Sequence, residues 1–158
     1  MKFSAQEEYG IRCLLQIAKV EAEESMTIAE ISRAEGLSPT HVAKLLMILR
    51  KDGFIVSTRG QAGGYQLARS ADQITIGSVL ESLGGRLFDH EFCARHSGLN
   101  PNCTHAVDCE VKSLWAAIQA AVDTVVHRIT LADLMNDAIP ERNVSFSARR
   151  PTAATPAA

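Results

Sequence analysis

A chain of 158 residues, 46% of them hydrophobic, suffices for one globular domain or for a small domain with an extended dimerisation element, and excludes two enzyme-sized domains. Its apolar runs fall short of the roughly 18 residues that span a bilayer, and MKFSAQEEYG has no apolar signal core, so a cytoplasmic protein without a membrane partner is expected. The net charge of −2 is unevenly spread: from Ser38 to Arg69 five basic residues oppose Asp52 alone, whereas Ser70 to Arg142 sets five basic against ten acidic residues. A basic segment in an acidic chain suits a phosphate-facing surface, although a solvated face of mixed charge gives the same count.

From Ala5 to Val20, Tyr9, Leu14, Ile17 and Ala18 stand at helical spacing and lead into Glu21, Glu23 and Glu24, which predicts a first helix and a solvated loop. Thr27 with Glu30 has the capping-box pattern and opens a short helix that ends at Gly36. Ser38 caps a second helix with Pro39 at its first position, where a missing amide hydrogen costs nothing, running to about Asp52. Val42, Leu45, Leu46 and Leu49 form its apolar stripe, and Thr40, His41, Lys44, Arg50 and Lys51 point elsewhere. Two short helices around a tight glycine turn make a helix-turn-helix, a unit that also occurs as plain packing.

After Gly53, two β-prone runs, Phe54 to Thr58 and Tyr65 to Ala68, enclose Gly60, Gly63 and Gly64, the pattern of a hairpin wing. A short helix from Ile76 to Leu83 stops at Gly84-Gly85, and Phe88 to Cys109 reads as a long ordered loop, a length that in a compact protein usually carries function. From about Glu110 to Leu134, Trp115, Ile118, Val122, Val125, Ile129 and Ala132 keep a three-four spacing. That spacing predicts one long helix paired with its copy in a second subunit, with an ordinary core helix as the alternative. Beyond Pro140 the Ser-, Arg-, Thr-, Ala- and Pro-rich composition predicts a disordered tail. The expected fold class is mostly α with a small β-hairpin wing. A winged helix-turn-helix domain covers residues 1–84, a cysteine loop 85–109, a dimerisation helix region 110–139 and the tail 140–158.

A recognition helix shows short polar and basic side chains to base edges while its other face packs. Thr40, His41 and Lys44 fit that role, and Ser38 with the free amides of the first turn suits a phosphate. On the wing, Arg59, Gly60, Gln61 and Tyr65 are placed to reach a minor groove, where narrow A·T stretches attract guanidinium groups. The chain has no nucleotide-binding glycine motif in a strand-to-helix setting and no nucleophile with a base, so a non-enzymatic protein is expected. An electron-transfer protein or a pure interaction module are the readings from other classes.

Cys93, Cys103 and Cys109 are separated by nine and five residues. Thiolates clustered this way in a reducing compartment point to metal, cluster or redox chemistry. Without a C-x-x-C pair, an iron-sulfur cluster is favoured over zinc, and a reversible disulfide stays open. Cys13, among Ile11, Leu14 and Leu15, reads as a small buried hydrophobe.

The runs SAQEEY from Ser4, IAEIS from Ile28, LRKDG from Leu49, RGQAGGYQLAR from Arg59 and ITIGSVLES from Ile74 resemble the Rrf-type winged-helix iron-sulfur regulators, the family that includes IscR, NsrR, RirA and RsrR. The likeness covers residues 1 to about 135. It implies a homodimer on a roughly palindromic double-stranded DNA operator, a crossing dimerisation helix and, in many members, a 2Fe-2S or 4Fe-4S cluster in the loop before that helix. Several relatives have five residues between the first two cysteines where this chain has nine, and Lys112 stands where the IscR-like pattern has a histidine. Some relatives instead take an acidic ligand from the partner's first helix. Glu8 occupies that position, with His105, His96 or His90 as alternative fourth ligands.

Overall fold

The computed structural model describes residues 3–21, 24–60, 63–89, 91–97 and 109–139; Gln61, His90, Cys103, His105 and the expected tail lie outside them. Helix α1 (Ala5–Ala18) opens with a capping box in which Glu7 N donates to Ser4 Oγ and Ser4 N donates to the Glu7 carboxylate. Helix α2 (Ile28–Glu35) uses the Thr27–Glu30 box and ends at Gly36, whose φ of 66° lies in the left-handed region that favours glycine. Helix α3 (Pro39–Lys51) is capped by Ser38. Such caps stabilise by about 1 kcal/mol each, which matters for helices as short as α2.

The wing is a two-stranded antiparallel hairpin, β1 (Ile55–Ser57) with β2 (Tyr65–Leu67), in the register Ile55↔Leu67, Val56↔Gln66, Ser57↔Tyr65. A 3₁₀ turn at Ala71–Gln73 leads to α4 (Ile76–Gly84). The core gathers one face from each element: Leu14 and Ile17 of α1, Ile31 of α2, Val42, Leu45, Leu46 and Leu49 of α3, Ile55 of the wing, and Val79 and Leu83 of α4 are all buried. Helices α1 and α2 are also joined by Arg12, whose guanidinium donates to the Glu35 carboxylate at 2.6 Å while Gln16 donates to its other oxygen.

Two sequence expectations change beyond Gly85. The loop from Phe88 to Cys109 contains a helical turn, α5 (Phe92–Arg95), and the single helix predicted to Leu134 is two elements, α6 (Glu110–Val126) and α7 (Leu131–Met135). The break has a local cause: Thr130 and Asp133 form a third capping box, and Thr130 pairs with Thr75 in an antiparallel bridge. Ile76 N donates to Ile129 O and Leu131 N to Ile74 O, both at 2.8 Å, so the backbone leaves the helical path to join α4's entrance. Helix α6 ends at Val126, so Ile129 and Ala132, the last two positions of the predicted seam, fall outside it; Leu131 is fully buried in the wing-domain core and Ile129 packs against that core.

Among the described residues no helix is long and apolar enough to cross a membrane. Because Leu131 fills a core formed mostly by residues 13–83, Leu131→Ala leaves a cavity and should cost about 2–5 kcal/mol. Urea unfolding followed by circular dichroism measures that loss; a change below 1 kcal/mol would mean that α7 is peripheral to the core.

Candidate DNA interface and cysteine segment

Opposite its buried stripe, α3 exposes Thr40, Lys44, Met47 and Lys51, four positions that share one face at spacings of three, four and seven. Thr40 and Lys44 are therefore presented as expected. Ser38 accepts from the His41 amide at 3.3 Å and lies exposed at the helix start. His41 differs: its ring meets Tyr9 of α1 edge to face, with centroids 5.6 Å apart, at the margin of the buried face. The sequence pattern gave no sign of that contact, and the exposed Met47, 60% accessible, was also missed because an apolar residue on a helix reads as core.

Arg59 and Gly60 are exposed at the wing tip, and Gly60 has a φ of 122°, which an L side chain rarely adopts. A Cβ on Gly64 would lie 2.7 Å from the carbonyl oxygen of Met26, so the hairpin can sit against the α1–α2 connection only with glycine there. Tyr65 is half-buried against the core, its backbone exchanging hydrogen bonds with Met26 at 2.9 and 3.0 Å. It anchors the wing, while Arg59 remains the side chain at the tip.

The cysteine segment leaves α4 beside the first turn of α1, where Gln6 donates to the Leu83 carbonyl and a Cβ on Gly84 would meet the Glu7 side chain. Arg86 donates to Glu81 of α4 at 2.6 Å and to Asp123 of α6. Gln119, 6% exposed, accepts from the Phe88 amide at 2.9 Å and donates to Asp123 at 2.7 Å. His127 completes this joint, 3.5 Å from Glu81, with its ring against Gly77. The face of α6 turned to α4 thus comprises Gln119, Val122, Asp123 and Val126, which line one cleft with Gly77 and Leu80. Val122 faces its own domain, a correction to the predicted seam, and the large exposed apolar residues on α6 are Val111, Leu114 and Trp115.

Cys93, on α5, lines an open pocket of about 470 Å³ with Phe88, Lys112 and Ala116. Its neighbour Phe92 packs between Phe88 and His96, with Trp115 of α6 at 6.2 Å. Trp115 therefore braces the cysteine-bearing turn. His96 stacks on Phe92 at 4.2 Å with Nδ1 2.8 Å from the Phe92 carbonyl oxygen, which engages one of its two ring nitrogens. Asp89 is held below its ordinary carboxylate range by hydrogen bonds from Arg95, which close α5 on its solvent side.

Cys109 caps α6, its Sγ accepting from the Lys112 amide at 3.3 Å. Both sulfurs are free thiols of intermediate exposure on either side of residues 98–108, within which Cys103 falls. Accessible thiols suit an iron-sulfur centre; Cys13, buried in the core, does not, and burial pushes its thiol up to about 11. Glu8 is exposed on the first turn of α1, one turn before Arg12. Among the described residues no hydrogen bond or ion pair engages its carboxylate.

Two helices joined by a left-handed glycine turn, the second showing a polar and basic face, with a hairpin at their side, define a winged helix-turn-helix protein of the class that regulates transcription. The chain belongs to the Rrf2 family, whose model, described as an iron-dependent transcriptional regulator, matches residues 3–137. It is 36% identical to the protein rrf2 of Nitratidesulfovibrio vulgaris over 138 residues, 87% of this chain and 89% of that protein. Among solved structures it is similar to CymR (YrzC), the global cysteine regulator of B. subtilis, with a TM-score of 0.70, 29% identity, and 87% and 98% of the two chains covered. It is also similar to IscR of T. potens, with a TM-score of 0.67, 29% identity, and 87% and 88% covered.

The contrast among the cysteines has a direct readout. In the native, metal-free protein at pH 8, iodoacetamide should alkylate Cys93 and Cys109 while Cys13, sealed in the core and with its thiolate scarce, reacts slower by roughly a hundredfold or more. Peptide mapping by mass spectrometry follows each site, and equal rates would place Cys13 outside the core.

Proposed function

We propose that the chain is a homodimeric cytoplasmic repressor that binds a roughly palindromic DNA operator, its affinity set by an iron-sulfur cluster held by Cys93, Cys103 and Cys109. The observation that carries the DNA half is the exposed face of α3, with Thr40 and Lys44 opposite the buried stripe and Arg59 at the tip of the adjoining wing. Ser38, His41, Gly60, Gln61 and Tyr65 complete the proposed interface, His41 and Tyr65 by holding its elements in place. For the cluster half the support is the donor set: two accessible thiols flank the segment that carries the third, and the fourth cysteine is sealed away.

A 2Fe-2S and a 4Fe-4S cluster are both compatible with three thiolates and one further ligand. When bound, either supplies a centre that responds to oxidants, nitric oxide or iron supply. Glu8 of the partner subunit is the proposed fourth ligand, a harder and more exchangeable donor than a thiolate, with His105 as its alternative. The chain's own residues provide the coupling. Cys109 caps α6, Cys93 sits on the turn braced by Trp115, Gln119 of α6 holds the Phe88 amide, and Arg86 ties this segment to α4, which packs on α1 and α3. How the thiols are held therefore bears on the placement of the recognition helix, a coupling between two distinct sites.

A second reading, a cluster-free thiol switch in which two of these thiols lose two protons and two electrons to an oxidant, draws on their accessibility and on the likeness to CymR.

Anaerobic native mass spectrometry tests the first reading. It should give a dimer carrying cluster mass, lost in Cys93→Ala, Cys103→Ala and Cys109→Ala and kept in Cys13→Ala. Glu8→Ala should shift the visible spectrum without removing all iron, and Glu8→Cys should make the cluster persist longer in air. A colourless, iron-free parent whose DNA affinity follows disulfide formation would replace this reading with the second.

Dimerisation is assigned to the apolar face of α6 that no described residue of its own domain covers. Leu114→Glu places two unpaired carboxylates at a two-fold interface and should yield monomers by sedimentation at micromolar concentration. Persistence of the dimer would move the interface elsewhere.

A further inference from the structure

Met47 has no part in the interface described so far. It is a large apolar side chain, 60% exposed, in the middle of α3, on the face opposite the buried Val42, Leu45, Leu46 and Leu49. Lys44 lies three residues before it and Lys51 four after it, both exposed, and Thr40 lies two turns towards the N-terminus on the same face. Whatever surface covers Met47 thus meets an ammonium group on each side. That combination argues against a purely apolar protein groove, which offers neither ammonium a partner, and suits a polyanion with an apolar group between its charges. Duplex DNA presents such a group in the major groove at one base only, the C5 methyl of thymine, and does so between two phosphate backbones.

We propose that Met47 reads sequence by packing its thioether against a thymine methyl in the major groove while Lys44 and Lys51 meet the flanking phosphates. This assignment rests on the DNA-binding reading of α3 given above. It adds a specificity determinant of apolar character to a face whose other members act through hydrogen bonds and charge. A thioether is flexible enough to follow the methyl without a fixed hydrogen-bond geometry, so recognition should tolerate leucine better than a polar residue of similar length.

The test uses the full-length protein, purified anaerobically, and the duplex it enriches from a random-sequence pool. Thymines of that duplex are replaced one at a time by deoxyuridine, which removes only the methyl group, and affinities are read by fluorescence anisotropy at fixed salt. For the parent, one position in each half-site should lose about fourfold on replacement, the size expected for one buried methyl group. Met47→Ala should bind the thymine and uracil forms of that position equally, Met47→Leu should retain most of the discrimination, and Met47→Gln should lose it. The salt dependence should stay parental in Met47→Ala, since no phosphate contact is removed, and become shallower in Lys44→Ala.

Three outcomes overturn the assignment. Parental thymine discrimination in Met47→Ala at every position assigns the methyl contact to another residue. Unchanged DNA binding in Met47→Ala together with loss of a protein partner in pull-down would make Met47 a protein contact. If the parent enriches no duplex, the DNA-binding reading itself fails and the proposal with it. Met47 being exposed, the variants should melt at the parental temperature, which separates any affinity change from unfolding.

Discussion

Two backbone hydrogen bonds hold the architecture together: Ile76 N to Ile129 O and Leu131 N to Ile74 O, the flanks of the Thr75–Thr130 bridge. With them the excursion of residues 85–128 starts at the C-terminal end of α4 and returns to the N-terminal end of the same helix. Residues 86–89 and α6 form an arm tied to both ends of α4, by Arg86 at one and by the strand-like backbone bonds at the other. That helix packs against α1 and α3.

Along the open side of this arm, polar groups do what the backbone does at its base. Arg86 spans Glu81 and Asp123, Gln119 fixes the Phe88 amide, and His127 lies over Gly77. Apart from Gln119 these groups are substantially exposed, so each pair taken singly contributes little and is weakened by salt. Their value is positional. Two stretches more than 30 residues apart in sequence, the end of α4 with Arg86 and Phe88 and the middle of α6, are held at one point, by exposed ion pairs and by the buried amide of Gln119.

Much of the wing domain was legible because its signals are local. The Thr27–Glu30 box, Ser38 before Pro39, the spacing of Val42, Leu45, Leu46 and Leu49, and the glycines of the hairpin each act within a few residues. The end of α6 was equally local and went unread: Thr130 with Asp133 carries a capping pattern, but an apolar spacing that continued through Ile129 and Ala132 outweighed it. The orientation of α6 was not legible, because that helix is apolar on two faces, one towards α4 through Val122 and Val126 and one outward through Val111 and Leu114, and periodicity alone does not rank them. Nor could spacing reveal His41 against Tyr9, or Arg86 joined to a residue 37 positions away. The cysteines stood out by chemistry alone, and so did the burial of Cys13 by its neighbours.

The place of Leu131 also orders events during synthesis. Closing the Thr75–Thr130 contact brings together segments roughly 55 residues apart, an entropic cost met only when the whole arm has been made. The three-helix and hairpin unit can condense early from short-range contacts, yet its core keeps an opening where Leu131 will sit. A nascent chain therefore acquires its sulfur-bearing segment and its exposed apolar helix before the DNA-reading unit is sealed. A chain interrupted within α6 would present an unfinished domain to the cell's proteases.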